Sequence, residues 1–245
     1  MFVFKTAVVG AGTMGGEIAQ TLAAADLPVV LKDVEQRFVD QGLEKARQVT
    51  EGQLQGLVKK EKITEEQAKA QLEHTVGLID GTTSYDGFGD VDFVVEAVPE
   101  RIDLKRRVFS ELDASTPGHA ILASNTSSLS ITEMGRATDR PDKVVGFHYF
   151  YPASVMRLIE VIEGEETSEE TMQATSNFAQ KIRKMPIRCG ETPGFVVNRI
   201  LNSSVSEIWK VQEEEGIDVK EIDKIVSESG AAPMGPFFLD VMMVV

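Results

Sequence analysis

Apolar and polar positions along the chain follow two rhythms. Residues 6–10 (TAVVG) form a short unbroken apolar run of strand length, and 13–25 place Ile18, Leu22 and Ala25 on one helical stripe. Residues 27–31 (LPVVL) predict a second strand. Residues 35–62 predict a long charged helix with Leu43, Ala46, Leu54, Leu57 and Val58 as its apolar positions. A second helix follows over 64–72, where Thr64 and Gln67 have the spacing of a capping box. Strands are expected over 91–98 (VDFVVEAV), 120–124, 144–148 and 158–162, with helices over 101–112 and 167–185. Thr167 and Glu170 read as the capping box of the last of these. The turn-forming YPAS between 148 and 158 makes the last two strands an antiparallel pair.

Strand and helix thus alternate through the first part of the chain. That predicts an α/β fold, a Rossmann-like doubly wound and mainly parallel sheet covered on both faces. After residue 190 only helical patterns remain, over 195–214 and 218–228, with Pro193 where a helix would start. Two domains are expected, 1–190 and a partial all-α domain over 191–245. The apolar, uncapped FFLDVMMVV at the end suggests that the helical domain is incomplete.

Composition narrows the classes. The chain has 25 Lys and Arg against 39 Asp and Glu, a net charge of −14, which disfavours a nucleic-acid binder working through a basic face. No apolar run reaches the ~18 residues of a membrane span. The opening MFVFK holds a lysine and runs into glycines, and so reads as part of a strand and not as a signal peptide. The single Cys189 cannot form an internal disulfide, which fits a reducing, cytoplasmic setting.

The first candidate chemistry is a glycine loop. Gly10, Gly12 and Gly15 match G-x-G-x-x-G between a predicted strand and a predicted helix. There, glycines permit a tight turn and close approach of a pyrophosphate, and the helix end offers free N–H groups. The second strand leads to Asp33, whose carboxylate can accept hydrogen bonds from both ribose hydroxyls and would repel a 2′-phosphate. Val34 and Glu35 follow, with no arginine, so NAD is favoured over NADP.

A histidine and a glutamate supply the second. His74 and His119 lie in polar surroundings, whereas His148 closes the apolar run VVGFH. Glu160 sits on the same strand face as Leu158 and Ile162, where a carboxylate needs a partner. A hairpin centred on Ser154 sets the two opposite each other. The carboxylate would then fix one imidazole nitrogen and leave the other basic, as proton removal from a hydroxyl during hydride transfer requires. Spacing alone leaves a structural strand-end histidine equally open. Ser127 and Ser128 follow a strand end, the edge where open α/β sheets bind ligands. Asn198, in PGFVVNRIL, is either a buried structural amide or a further polar contact.

Taken together, GAGTMGGEIAQ, VVEAVPERIDLKRRVF, ASNTSSLSI, GFHYFYPASVMRLIEVI, TPGFVVNRIL and PMGPF resemble the L-3-hydroxyacyl-CoA dehydrogenase family, in the family's order and over nearly the whole chain. The resemblance implies that His148 is the catalytic acid/base and Glu160 its orienting partner, with Ser127 and Asn198 on the substrate oxygen. It implies cofactor contacts from Gly10, Gly12, Thr13, Met14, Gly15, Asp33, Glu100, Lys105 and Ser127. It implies NAD as cofactor, no metal, an acyl-CoA substrate and a homodimer once the helical domain is complete. The family places its CoA-phosphate lysines near Lys59, Lys60 and Lys62, which read equally well as a solvated charge run. Two departures stand out. Tyr151 occupies the place of the family's usual Asn, and the family continues for several helices beyond PMGPF. Two other readings remain: a dehydrogenase of small hydroxy or sugar acids on the same fold, and a dinucleotide-binding protein without turnover.

Overall fold

The computed structural model describes residues 2–230 and 235–237. Residues 1–193 and 194–245 form two compact units.

In the first unit the alternation becomes β1 (Thr6–Val9), α1 (Thr13–Ala23), β2 (Val29–Lys32), α2 (Gln36–Lys59), α3 (Glu65–Gly77), β3 (Ile79–Thr82), β4 (Phe93–Glu96), α4 (Ile102–Ser115), β5 (Ile121–Ser124), α5 (Ile131–Gly135), β6 (Val144–Tyr149), β7 (Leu158–Glu163), α6 (Glu169–Lys181) and β8 (Met185–Gly190). The strands make one eight-stranded sheet, ordered β3-β2-β1-β4-β5-β6-β7-β8. β1 to β6 run parallel, β7 is antiparallel to β6, and β8 is parallel to β7. One register row, Val8, Val95, Ala123 and Val145, crosses the sheet and joins Ile18 and Leu22 of α1 and Met172 and Phe178 of α6 in a single core. Phe147 and Tyr149 belong to that face, so alternation turns His148 to the other.

The capping box predicted for α3 is present: Thr64 Oγ1 accepts from Gln67 N–H at 3.2 Å and Gln67 Oε1 from Thr64 N–H at 2.9 Å. The one predicted for α6 is not. Ser168 caps that helix, while Thr167 Oγ1 donates to Val144 O at 2.7 Å and accepts from Gly164 N–H. Residue 185 begins β8, where the sequence predicted the end of a helix, and β3 had no sequence signal. Both are strands at the sheet edge that carry glycine, and β8 also has Pro186, which an edge strand tolerates.

The second unit contains α7 (Val197–Glu215) and α8 (Val219–Ser229). α7 starts four residues after Pro193, because Gly194 and Phe195 take positive φ and hold the chain out of a helix there. Gly216, in the left-handed conformation, ends α7, and Asp218 caps α8 through Lys220 N–H. The terminal VMMVV lies outside the described residues.

Candidate active site at the carboxyl edge of the sheet

The glycine turn, Asp33, Glu100, Ser127 and His148 lie at the carboxyl ends of the parallel strands, Glu160 meets His148 from the antiparallel β7, and Lys105 lies in α4. Val9 lies in register with both Lys32 and Glu96, so the turn after β1, Asp33 after β2 and Glu100 after β4 emerge side by side. Ser124 lies beside Gly146, so Ser127 and His148 come from the same end of neighbouring strands. That edge is the general ligand site of open α/β sheets.

The three glycines do different work. Gly10 has φ +99, and a Cβ there would stand 2.5 Å from Ala97 O. A Cβ on Gly15 would meet Gly10 O at 1.7 Å. Both are therefore demanded by the chain's own packing. A Cβ on Gly12 would have no described atom within 4 Å, so the open side of the loop lies there. α1 begins at that point with no side-chain cap, and its first amides are available to a pyrophosphate. Asp33 is aimed by two backbone amides, Ala11 N–H to Oδ2 at 2.7 Å and Val34 N–H to Oδ1 at 2.6 Å. Each oxygen keeps a lone pair for a ribose hydroxyl. The residues present thus fit a dinucleotide.

Behind the loop lies a charged network. Lys105, 1% exposed, donates to Glu96 Oε1 at 2.7 Å and to Val98 O at 3.2 Å, and pairs with Glu100 Oε2 at 3.2 Å. All three ammonium protons are committed to protein acceptors. The expectation that Lys105 and Glu100 act as a similar pair of cofactor contacts changes accordingly: Lys105 holds Glu100, and Glu100 faces outward. Glu100 in turn accepts from Ser127 N–H at 3.0 Å and from the Thr126 hydroxyl, so it fixes the Ser127 backbone. Glu96, fully buried, also accepts Ser124 Oγ–H at 2.7 Å and Val98 N–H at 2.7 Å. Sequence reasoning passed over Glu96, although a carboxylate inside VDFVVEAV is the same anomaly that singled out Glu160. It also passed over Asn125, whose Oδ1 accepts Tyr149 N–H at 2.9 Å and ties β5 to the strand of His148.

His148 and Glu160 are direct register partners across β6 and β7. His148 Nδ1 lies 2.8 Å from Glu160 Oε2, with the histidine 7% exposed and the glutamate fully buried. A carboxylate at Nδ1 places the proton on that nitrogen and leaves Nε2 as the basic position. The negative charge of Glu160 is felt on β8 as well: Cys189 is pushed up to about 11, first by burial and then by Glu160.

Asn198 is the second residue of α7, in the other unit. The side chains of Lys59 and Lys60 are exposed at the end of α2, with no hydrogen-bond acceptor among the described residues. Tyr151 is 55% exposed just beyond β6.

Comparison with known proteins agrees with this geometry. Residues 5–192 match the family described as 3-hydroxyacyl-CoA dehydrogenase, NAD binding domain, and 194–242 match the 3-hydroxyacyl-CoA dehydrogenase C-terminal domain. The chain is 39% identical over 237 residues to a fatty acid oxidation complex subunit alpha of Pseudomonas savastanoi, covering 97% of this chain and 32% of that one. It is 38% identical over 235 residues to the glyoxysomal fatty acid beta-oxidation multifunctional protein MFP-a of Brassica napus, covering 96% of this chain and 31% of that protein. The chain therefore spans about a third of the length of these relatives. Among solved structures, (S)-3-hydroxybutyryl-CoA dehydrogenase PaaH1 of Ralstonia eutropha is similar with a TM-score of 0.88 and 37% identity, over 99% of this chain and 83% of that one. By the match of both domains, the chain belongs to the 3-hydroxyacyl-CoA dehydrogenase family, and its first unit is the family's NAD-binding domain.

Proposed function

We propose that the protein interconverts an L-3-hydroxyacyl-CoA and the 3-ketoacyl-CoA with NAD. The observation that carries this reading is the buried His148–Glu160 pair, 2.8 Å apart, at the sheet edge that also carries the glycine loop. NAD, when bound, supplies the carbon that accepts or gives a hydride. The chain's own residues handle the proton. Glu160 holds the His148 ring by Nδ1, and Nε2 takes the proton of the substrate's hydroxyl or returns it to the carbonyl oxygen. General catalysis of this kind contributes about 10²–10⁴ in rate. Glu160 offsets the charge that the ring gains as the proton arrives. Ser127, its backbone held by Glu100, offers its hydroxyl to the reacting oxygen, and Asn198 adds an amide there.

The homodimer and the CoA contact of Lys59 and Lys60 belong to the same proposal. Ile200, Trp209, Val211 and Ile225 of the second unit are exposed apolar side chains that a second copy could cover. Incubating the chain with NADH and either acetoacetyl-CoA or free acetoacetate tests substrate class. Turnover of the thioester alone is expected. Turnover of the free acid at equal efficiency would favour a small-acid dehydrogenase, and turnover of neither would leave a dinucleotide-binding protein.

A further inference from the structure

A second concavity lies in the first unit, built by the later part of α1, the middle of α2, the loop between β6 and β7, and the turn between α6 and β8. It is a solvent-open depression of about 350 Å³ that includes Gln20, Gln53, Arg157, Ile182, Arg183 and Lys184. That volume is within the range of small-molecule sites, roughly 300–1,000 Å³. Its charge is unlike the rest of the chain. The protein carries a net charge of −14, yet three of the residues lining this hollow are cationic and none of the described lining residues is acidic.

Two of these cations lack a counter-charge. Among the described residues, neither the Arg157 nor the Arg183 guanidinium has a carboxylate within ion-pair distance, and both residues are exposed, so their charge is open to a ligand. Lys184 is 8% exposed and donates to Met156 O at 2.7 Å and to Ala153 O, with its ammonium 5.5 Å from the centre of the Tyr149 ring. Burial lowers it to about 8, against the opposing pull of Glu17. Gln20, 1% exposed, donates to Gln53 Oε1 at 3.2 Å. The hollow therefore has ordered polar groups in its wall.

Arg183 follows the end of α6 with φ +63, in the left-handed region that Asp26, Glu61 and Phe195 also adopt, and glycine is the residue that costs least there.

We propose that this hollow is an anion site that takes a phosphate-bearing ligand, gripped by Arg157 and Arg183 with Lys184 behind them. Guanidinium groups grip phosphate by paired hydrogen bonds, and Glu17, which accepts from Ser154 N–H beside the hollow, is paired with Lys45 at 3.1 Å. The phosphate can come from the CoA of the substrate or from a separate phosphorylated molecule. The first source rests on the function proposed above, and the site itself does not. It is distinct from Lys59 and Lys60, which do not line the hollow.

The test is binding of inorganic pyrophosphate to the full chain, with saturating NADH present to occupy the glycine loop and NADH affinity measured separately. Arg157→Ala and Arg183→Gly are each expected to weaken pyrophosphate tenfold or more, as loss of a charge-assisted contact does. Arg183→Gly relieves the left-handed backbone, so its melting temperature should equal or exceed that of the parent, and lost binding then reports the side chain. Kinetics with acetoacetyl-CoA and with acetoacetyl-pantetheine, which lacks the phosphates, separate the two sources. A raised KM for the first thioester alone in both variants assigns the site to the substrate's own phosphates. Unchanged KM values with pyrophosphate binding lost assign it to a separate ligand. Absence of pyrophosphate binding, or binding that neither substitution weakens, overturns the proposal whatever the enzyme's activity.

Discussion

Replacing Glu160 by Gln keeps the size of the side chain and removes its charge. In the native pair the carboxylate oxygen is 2.8 Å from Nδ1, and no part of Glu160 is exposed to screening water. With charge centres about 4 Å apart and an effective dielectric constant near 20, full proton transfer to the ring is favoured by about 4 kcal/mol. A proton half transferred in the transition state draws on about half of this, which corresponds to a loss of about 30-fold in kcat. Should the new amide present its nitrogen to Nδ1, it would force the wrong tautomer, and the loss would approach ~10⁴-fold. The assay is NADH oxidation by acetoacetyl-CoA, with NADH affinity and melting temperature as controls. NADH affinity should hold, because Glu160 lies on β7, away from the glycine loop after β1. A kcat within threefold of the parent, in a variant that folds and binds NADH, would refute the orienting role.

Three further outcomes follow from other parts of the structure. Asp33→Ala should weaken NAD about 10- to 100-fold through lost charge-assisted hydrogen bonds to the ribose, and NADP much less; equal losses would contradict ribose recognition there. Glu96→Gln should raise the KM for NADH about tenfold with a smaller change in kcat, because Lys105 loses its buried counter-charge and no longer holds Glu100 in place. A fall in kcat alone, or full rescue of stability without rescue of KM in Glu96→Asp, would count against that chain of contacts. Lys184 is lowered from 10.5 to about 8 by burial, with Glu17 opposing and the carbonyls of Ala153 and Met156 in contact. Between those values the unfolded chain binds a proton that the folded chain does not, so this group's contribution to stability increases with pH. Relative to Lys184→Met, the parent's melting temperature should therefore rise from about pH 8 to about pH 10; a parent value that falls relative to the variant over that range would reverse the assignment.

Long apolar runs and caps whose partners lie close in sequence made much of the architecture legible. The strand through Val94, the antiparallel hairpin and the Thr64–Gln67 cap all fall where the pattern put them. The His148–Glu160 pairing was legible too, since a hairpin turns sequence position into register. Features set by distant neighbours were harder to read. Thr167 has the right spacing for a cap, but a carbonyl on β6 claims its hydroxyl. β3 and β8 gain their conformation from the sheet whose two edges they form, and their own four to six residues carry too little pattern. Lys105 was expected to contact the cofactor because its buried partner, Glu96, arrives from a strand. The basic hollow combines residues from four elements, and no local motif announces it.

The central claim is that His148 moves the substrate's proton. Acetoacetyl-CoA reduction by His148→Ala at saturating NADH tests it most directly. The account predicts a rate about 10²–10⁴ below the parent, with NADH binding intact. A variant that binds NADH and reduces acetoacetyl-CoA within a few-fold of the parent rate would contradict it.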